Sequence, residues 1–370
     1  MDSKEVPIEI QKGFFFPVCN KSEIERVFNV QNAKDHLLKI RAETIVDHMR
    51  LFRVYRNKAI ANPKNWSLEK SFSNLHYEKF LSHLNKENKE NCKEITYGNI
   101  FSNQVSGLIF KSPYGTMINI SDSIRFFLKF MNLGLLNFQT EVPLYVRVNA
   151  IRIAIRVMLQ SEALDFYMDP RGIVPKNVGI LMEKDIPNEL LFIAGHEFSH
   201  HLCGHLSDEN VIEKPIFRGI LENQEDYKPI VSYTQTQIEE FEADLVSIEL
   251  PKYSNSMKKA VLEGALTWFM KLDIYEHFIG ICAPSTKFIN REHPPASKRF
   301  DMLLNQVEFP KNFNKEYWQD FKKDIEKVKM IIEDDARNNL PNYQFYGSLY
   351  LDEPNSKWRG KELIDRVDYY

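Results

Sequence analysis

His196 and His200 stand four residues apart, and Glu197 directly follows the first of them. On an α-helix that spacing aims both imidazoles from one face. Two imidazoles so placed can hold one divalent cation, and a neighbouring carboxylate can take a proton from water activated there. The segment reads His-Glu-Phe-Ser-His and lies where a helix is expected. Pro187-Asn188-Glu189 opens that helix, with Asn188 as the cap and Glu189 suited to the positive helix start.

Two histidines and a base need a third protein ligand, which leaves one position open for water. A longer motif with Gly at 203 and His at 206 is excluded, because the chain has Cys203 and Leu206. The other source is a glutamate on a second helix. Residues 235–250 read as such a helix, stopped by Pro251, with Ile238, Phe241, Leu245 and Ile248 as its apolar face. Glu240 and Asp244, four apart, share a neighbouring face. Glu240 is assigned as the third ligand; Glu239, about 100° round the helix, is its rival. Asp244 is assigned to hydrogen-bond a ligating imidazole and fix its tautomer. Ala243 would keep the helices close, and Glu242 is expected in solvent. Two His and one Glu favour Zn2+ as the cofactor.

Further on, Glu292-His293-Pro294-Pro295 is followed by Arg299. His293 can donate a hydrogen bond to a developing oxyanion, and Arg299 can hold a carboxylate near the site. The plainer alternative is a structural His-Pro turn that starts a helix. Of the other histidines, His201 faces away from the ligands and reads as structural. His205, beside Gly204, reads as a helix-end cap. His277, within a helix over 262–281, reads as a core histidine. The four N-terminal histidines have no ligand spacing.

The elements that must position these residues are partly legible. Residues 20–60 read as helical, because Ile24, Val27, Phe28, Leu37, Leu38, Ile45 and Met49 recur at helical spacing. The charged run 84–95 reads as a solvated loop or linker. Residues 107–120 read as a hairpin, and Ser121-Asp122 can cap a helix over 123–136. Residues 144–159 are ambiguous between strand and helix, and 178–182 read as a short strand. The tail after Pro341 holds five of the 16 tyrosines and shows no clear periodicity. The expected organisation is an N-terminal helical region (1–100), a metal-binding domain (101–310) and a C-terminal helix with tail (311–370).

With 370 residues and 43% hydrophobic content the chain can bury one large core or two moderate ones. Its net charge of -3 and pI near 6.4 call for neither nucleic acid nor an anionic membrane as a partner. No 18-residue window is free of charge, so no membrane span is expected. Near the start, Asp2, Glu5 and Glu9 face a single Lys4 with no apolar run behind them, unlike a secretory signal. Cys19, Cys92, Cys203 and Cys282 have no C-x-x-C spacing. Free thiols in a reducing cytoplasm are the economical reading.

His-Glu-Phe-Ser-His, then Glu-Phe-Glu-Ala-Asp over 240–244, then His-Pro with Arg299 resemble, in this order, the motifs of glutamate-ligand zinc peptidases. Among these the chain resembles the Lit family of phage-exclusion peptidases, over residues 107–305. The resemblance implies an α-rich α+β, zincin-like fold, with a small sheet over the active-site helix and the second ligand helix packed beneath. It implies a cytoplasmic bacterial endopeptidase of antiphage defence, latent until a phage component appears, with a translation elongation factor as its protein substrate. The prenyl-protein-protease type shares the three motifs but is usually membrane-bound. Regulators of the ImmA/IrrE type share the two helices and a Leu-Pro ending, here Leu250-Pro251, and cleave repressors. Two other readings are a non-catalytic zinc-binding sensor and an unregulated toxin.

Overall fold

The computed structural model describes residues 7–102, 107–135, 142–206, 211–214, 230–233, 236–282 and 293–351. The chain is a helix-rich α+β protein. Its first part holds α1 (Ile8–Phe15), α2 (Lys21–Phe28), α3 (Ala33–Asp47), α4 (Met49–Ala61), α5 (Leu75–His83) and α6 (Lys86–Asn91). The helical stretch expected over 20–60 is thus three helices, each opened by its own cap. Asn20 caps α2 in a capping box with Glu23, Asn32 accepts from the N–H groups of Lys34 and Asp35, and His48 accepts from that of Leu51. The charged run 84–95, expected as a loop, instead holds α6, capped by Asn85. Leu84, Cys92 and Ile95 are buried and anchor the run at both ends.

Among the described residues five strands form one sheet: β1 (Thr96–Tyr97), β2 (Gly107–Ser112), β3 (Gly115–Ile120), β4 (Val211–Lys214) and β5 (Ile230–Tyr233), in the order β1-β3-β2-β5-β4. β2 and β3 are the expected hairpin, with Ser112 opposite Gly115 and Pro113-Tyr114 as the turn. β1 joins β3 in parallel, and the other pairs are antiparallel.

α7 (Ile124–Leu135) follows the hairpin as expected, although the Asp122 carboxylate is taken by the Asn99 side chain. α8 (Leu144–Leu159) resolves the ambiguous stretch as helix. Val146, Ala150, Ile153, Ala154 and Val157 form its buried stripe; Ile151, Ile155 and Met158 are buried too, which blurs the period. α9 (Lys176–Glu183) overturns the strand expected at 178–182. Val178 and Met182, one turn apart, are buried while Ile180 is exposed, a helical pattern in a run too short to reveal its period.

The remaining helices are α10 (Ile186–Leu202), α11 (Gln237–Glu249), α12 (Asn255–Cys282), α13 (Ala296–Gln306), α14 (Lys315–Asn339) and α15 (Pro341–Gln344). α10 is the centre of the molecule, packed against α5, α11, α12 and the β2–β3 hairpin. It begins one turn earlier than expected, after Asp185, with Pro187 in the first turn where no N–H is required. Asn188 is therefore not the cap. Glu189 lies in the first turn as expected, and its carboxylate is also buried against Lys271 Nζ of α12 at 2.7 and 2.8 Å. A Cβ at Gly195 would lie 2.7 Å from the Phe80 ring and 3.3 Å from Ser247 Cβ. The missing side chain lets α5 and α11 close on the motif helix.

The tail returns to the core. Tyr343, Tyr350 and Leu351 are buried, and the Leu349 N–H donates to Glu162, itself held by Arg156 and Arg171 at 2.7 and 2.6 Å. Residues 352–370 lie outside the described part. One hydrophobic cluster extends from Val18 to Leu351. Among the described residues no helix is long and apolar enough to cross a membrane, and the four cysteines are free.

Candidate metal centre

The His196 and His200 Nε2 atoms lie 3.1 Å apart on α10. α11 brings Glu240 to them, with Oε2 3.4 Å from His196 Nε2 and Oε1 3.3 Å from His200 Nε2. All three side chains are buried, and one ligand atom from each lies within 4.8 Å of the others. Ligand atoms on a tetrahedral zinc about 2.05 Å away would be about 3.3 Å apart. Neither Glu240 oxygen has an aligned hydrogen-bond partner, although both are buried. A fully buried carboxylate facing two ring nitrogens without hydrogen-bond alignment is the arrangement a shared cation would complete. The residues present therefore fit a metal ion.

Glu239 is not the ligand. Its carboxylate accepts from the Thr236 N–H at 2.6 Å, and its own N–H donates to Thr236 Oγ1, closing a capping box at the start of α11. The buried face of α11 is not the apolar stripe expected. Ile238 is 78% exposed, and the buried residues are Glu240, Ala243, Asp244, Ser247 and Ile248. Both carboxylates are buried because each meets cationic or imidazole partners, which outweighs the cost of desolvation.

Each histidine is oriented through its other nitrogen. His196 Nδ1 lies 2.9 Å from Asp244 Oδ1, and Arg299 of α13 grips Asp244 with two hydrogen bonds of 2.7 and 2.6 Å. With the proton on Nδ1 given to Asp244, the Nε2 lone pair faces the ligand cluster. The Arg299 Nη1 also lies 3.5 Å from Glu240 Oε2. His200 Nδ1 lies 3.0 Å from His205 Nδ1, and His205 Nε2 lies 3.2 Å from Glu242 Oε2. If His200 offers Nε2 to a metal, its Nδ1–H donates to His205 Nδ1, and the His205 Nε2–H donates to Glu242. His205 thus serves twice: its N–H caps the helix end as expected, donating to the His200 carbonyl at 2.9 Å, and its side chain meets His200, while Glu242, though half-exposed, is engaged. Asp244→Asn is expected to weaken metal binding 10–100-fold, measured by competition with a chelator; unchanged affinity would remove Asp244 from this role.

The electrostatics follow from burial and these partners. Burial opposes charge on His196, but Glu240 and Asp244 outweigh it and carry its pKa up to about 10. Burial and the charge on His196 push His200 down to about 4, against the pull of Glu240. Glu240 is held well below the usual carboxylate range, since His293 and His196 overcome its burial. A proton on His196 and a cation among the ligand atoms compete for the same charge position.

Glu197 is buried, and that burial pushes its carboxyl up to about 7. The first residue of β2 lies directly against it: a Cβ at Gly107 would sit 2.4 Å from Glu197 Oε1. Gly107→Ala must displace the carboxylate. It is expected to leave metal content intact, since Glu197 is not among the three converging ligand residues. Loss of bound metal from that variant would contradict this placement.

His293 lies with Nδ1 2.8 Å from Glu240 Oε2, its side chain 42% exposed. Pro295 is the cap residue of α13, so the His-Pro segment both starts a helix and reaches the ligand cluster. Glu292 lies outside the described residues. Sequence reasoning missed Glu276, whose Oε2 accepts the Ala296 N–H of α13 at 3.0 Å. Burial pushes the Glu276 carboxyl up to about 7. Its signal was an acid within an otherwise apolar stretch of α12, which also carries Glu263 and Asp273. His201 is structural as expected, on the Asn91 carbonyl at 3.0 Å. His277 is not a core histidine; it is part-exposed and faces Glu333 of α14 at 3.2 Å.

Comparison of the chain with protein-family models, with curated proteins and with solved structures finds no match.

Proposed function

We propose that the protein is a zinc-dependent endopeptidase with a zincin-like catalytic domain. The observation that carries this reading is the convergence of His196, His200 and Glu240 at the spacing of a tetrahedral face, with Glu197 on the same helix. His196, His200 and Glu240 would hold the ion. Bound zinc would act as a Lewis acid that lowers the pKa of water and polarises a peptide carbonyl. Glu197 takes one proton from the attacking water and returns it to the leaving amine as the C–N bond breaks. The hydroxyl stays on the acyl carbon. A carboxyl poised near neutrality suits a group that must both take and give that proton. His293, part-exposed beside Glu240, is the side chain proposed to donate to the oxyanion. Asp244 with Arg299, and His205 with Glu242, hold the two histidines in register.

A structural zinc site closes its fourth position with a protein ligand and has no use for Glu197, which disfavours the sensor reading. The Lit-like motif order extends the proposal to the substrate: a cytoplasmic protein of a bacterial cell, of the elongation-factor class, cut once a phage component triggers the enzyme. The test is a survey of new protein N-termini in bacterial cells expressing wild type or Glu197→Gln, with and without phage infection. Ends unique to wild type support the proposal and name the substrate. Identical ends in both strains, infected or not, would overturn it.

A further inference from the structure

The end of α10 gathers three more ligand-type side chains. Cys203 and His205 flank Gly204, whose φ of +77° turns the chain at the helix end. Glu242 meets them from α11, and one ligand atom from each of the three lies within 4.8 Å of the others. The thiol is free and part-exposed, the carboxylate half-exposed and the imidazole buried. The C-terminal end of the helix dipole adds partial negative charge there. We propose that Cys203, His205 and Glu242 form a second site for a thiophilic divalent cation, coupled negatively to the first. The coupling rests on the reading of His196, His200 and Glu240 as a metal centre.

The sign of the coupling follows from a proton count on His205. A neutral imidazole carries one proton. With the first site alone filled, the His200 proton sits on Nδ1 and is given to His205 Nδ1, 3.0 Å away. The His205 proton then sits on Nε2, towards Glu242 at 3.2 Å. A cation between Cys203, His205 and Glu242 takes that Nε2 lone pair and sends the proton to Nδ1. Two N–H donors then face each other, and the hydrogen bond that held His200 becomes a repulsion. Filling the second site weakens the first, and filling the first weakens the second by the same factor. Losing a support of this kind costs about 10–100-fold in metal affinity. The second site is the weaker one, because Glu242 is half-exposed and Cys203 part-exposed, whereas His196, His200 and Glu240 are all buried.

Cobalt separates the sites, because only the second has a sulfur ligand. Metal-free, full-length protein is titrated with Co2+ and followed by absorption, with affinities taken by chelator competition. The first equivalent is expected to bind tightly without thiolate-to-cobalt charge-transfer absorption. That absorption should grow only with further Co2+, and the first site should then lose about tenfold or more in affinity. Cys203→Ser should abolish the charge-transfer absorption and keep the tight equivalent. Glu242→Gln should shift it to higher Co2+. His200→Ala should remove the tight equivalent and keep the absorption. No charge-transfer absorption at large cobalt excess would overturn the second site. Charge-transfer absorption with unchanged affinity at the first would overturn the coupling. A missing tight equivalent in wild type would instead sink the metal-centre reading, whatever the absorption shows.

Discussion

On the proposed peptidase mechanism, Glu197→Gln is expected to retain one equivalent of zinc and to lower peptide cleavage by about 10²–10⁴-fold, the usual worth of a positioned general base. The two side chains have nearly the same shape, so the packing under Gly107 survives. The amide has no basic oxygen and cannot take the water proton or return it to the amine. Glu197 is not among the three convergent ligand residues, which is why metal content should not follow activity. The contrast is His200→Ala, which removes a ligand and should lose both. Zinc content and turnover, measured on the same preparations, separate the two effects. Turnover of Glu197→Gln within twofold of wild type would mean that another group does the proton chemistry.

Lys271→Met is expected to destabilise the fold by about 3–5 kcal/mol, the cost of stranding one member of a buried ion pair. Lys271 Nζ and the Glu189 carboxylate are both buried, so neither has water to replace its partner. Burial already raises the Glu189 pKa, against the opposing pull of Lys271. Without the lysine, burial acts unopposed and the folded-state pKa rises further. The native state then holds a proton that the unfolded chain has released above about pH 4.3. The deficit should therefore be smaller at pH 5 and grow as pH rises through the raised pKa. Denaturant midpoints at pH 5 and pH 8 test this. A double change, Glu189→Leu with Lys271→Met, should recover most of the loss, because two apolar groups leave nothing uncompensated. A deficit that is equal at both pH values would contradict the account.

What sequence reasoning reached and what it missed divides along the range of the interactions. The motif helix and the Glu240–Asp244 pairing were legible, because a four-residue spacing encodes one helical face within a few positions. The β2–β3 hairpin was legible for the same local reason. The burial of α11 was misread, since charged residues count as solvated until their partners are known. Ile238 is exposed while Glu240 and Asp244 are fully buried, and Arg299 lies 55 residues from Asp244. The His205 cap was legible from its neighbour Gly204, but its side-chain link to Glu242, 37 residues away, was not. Glu189 is the helix-start acid expected, but its partner Lys271, 82 residues on, was not legible. The α9 error was different: five apolar residues fit one turn of helix as well as one short strand. β4 and β5 had no sequence signal that was recognised, yet they complete the sheet beside β2.

The most direct test of the metal centre is anomalous diffraction at the zinc absorption edge, from crystals of the protein loaded with one equivalent of zinc. The account predicts a single strong peak bounded by His196 Nε2, His200 Nε2 and the Glu240 carboxylate, with one side open. A peak at Cys203 instead, or none near the motif helix, would contradict it.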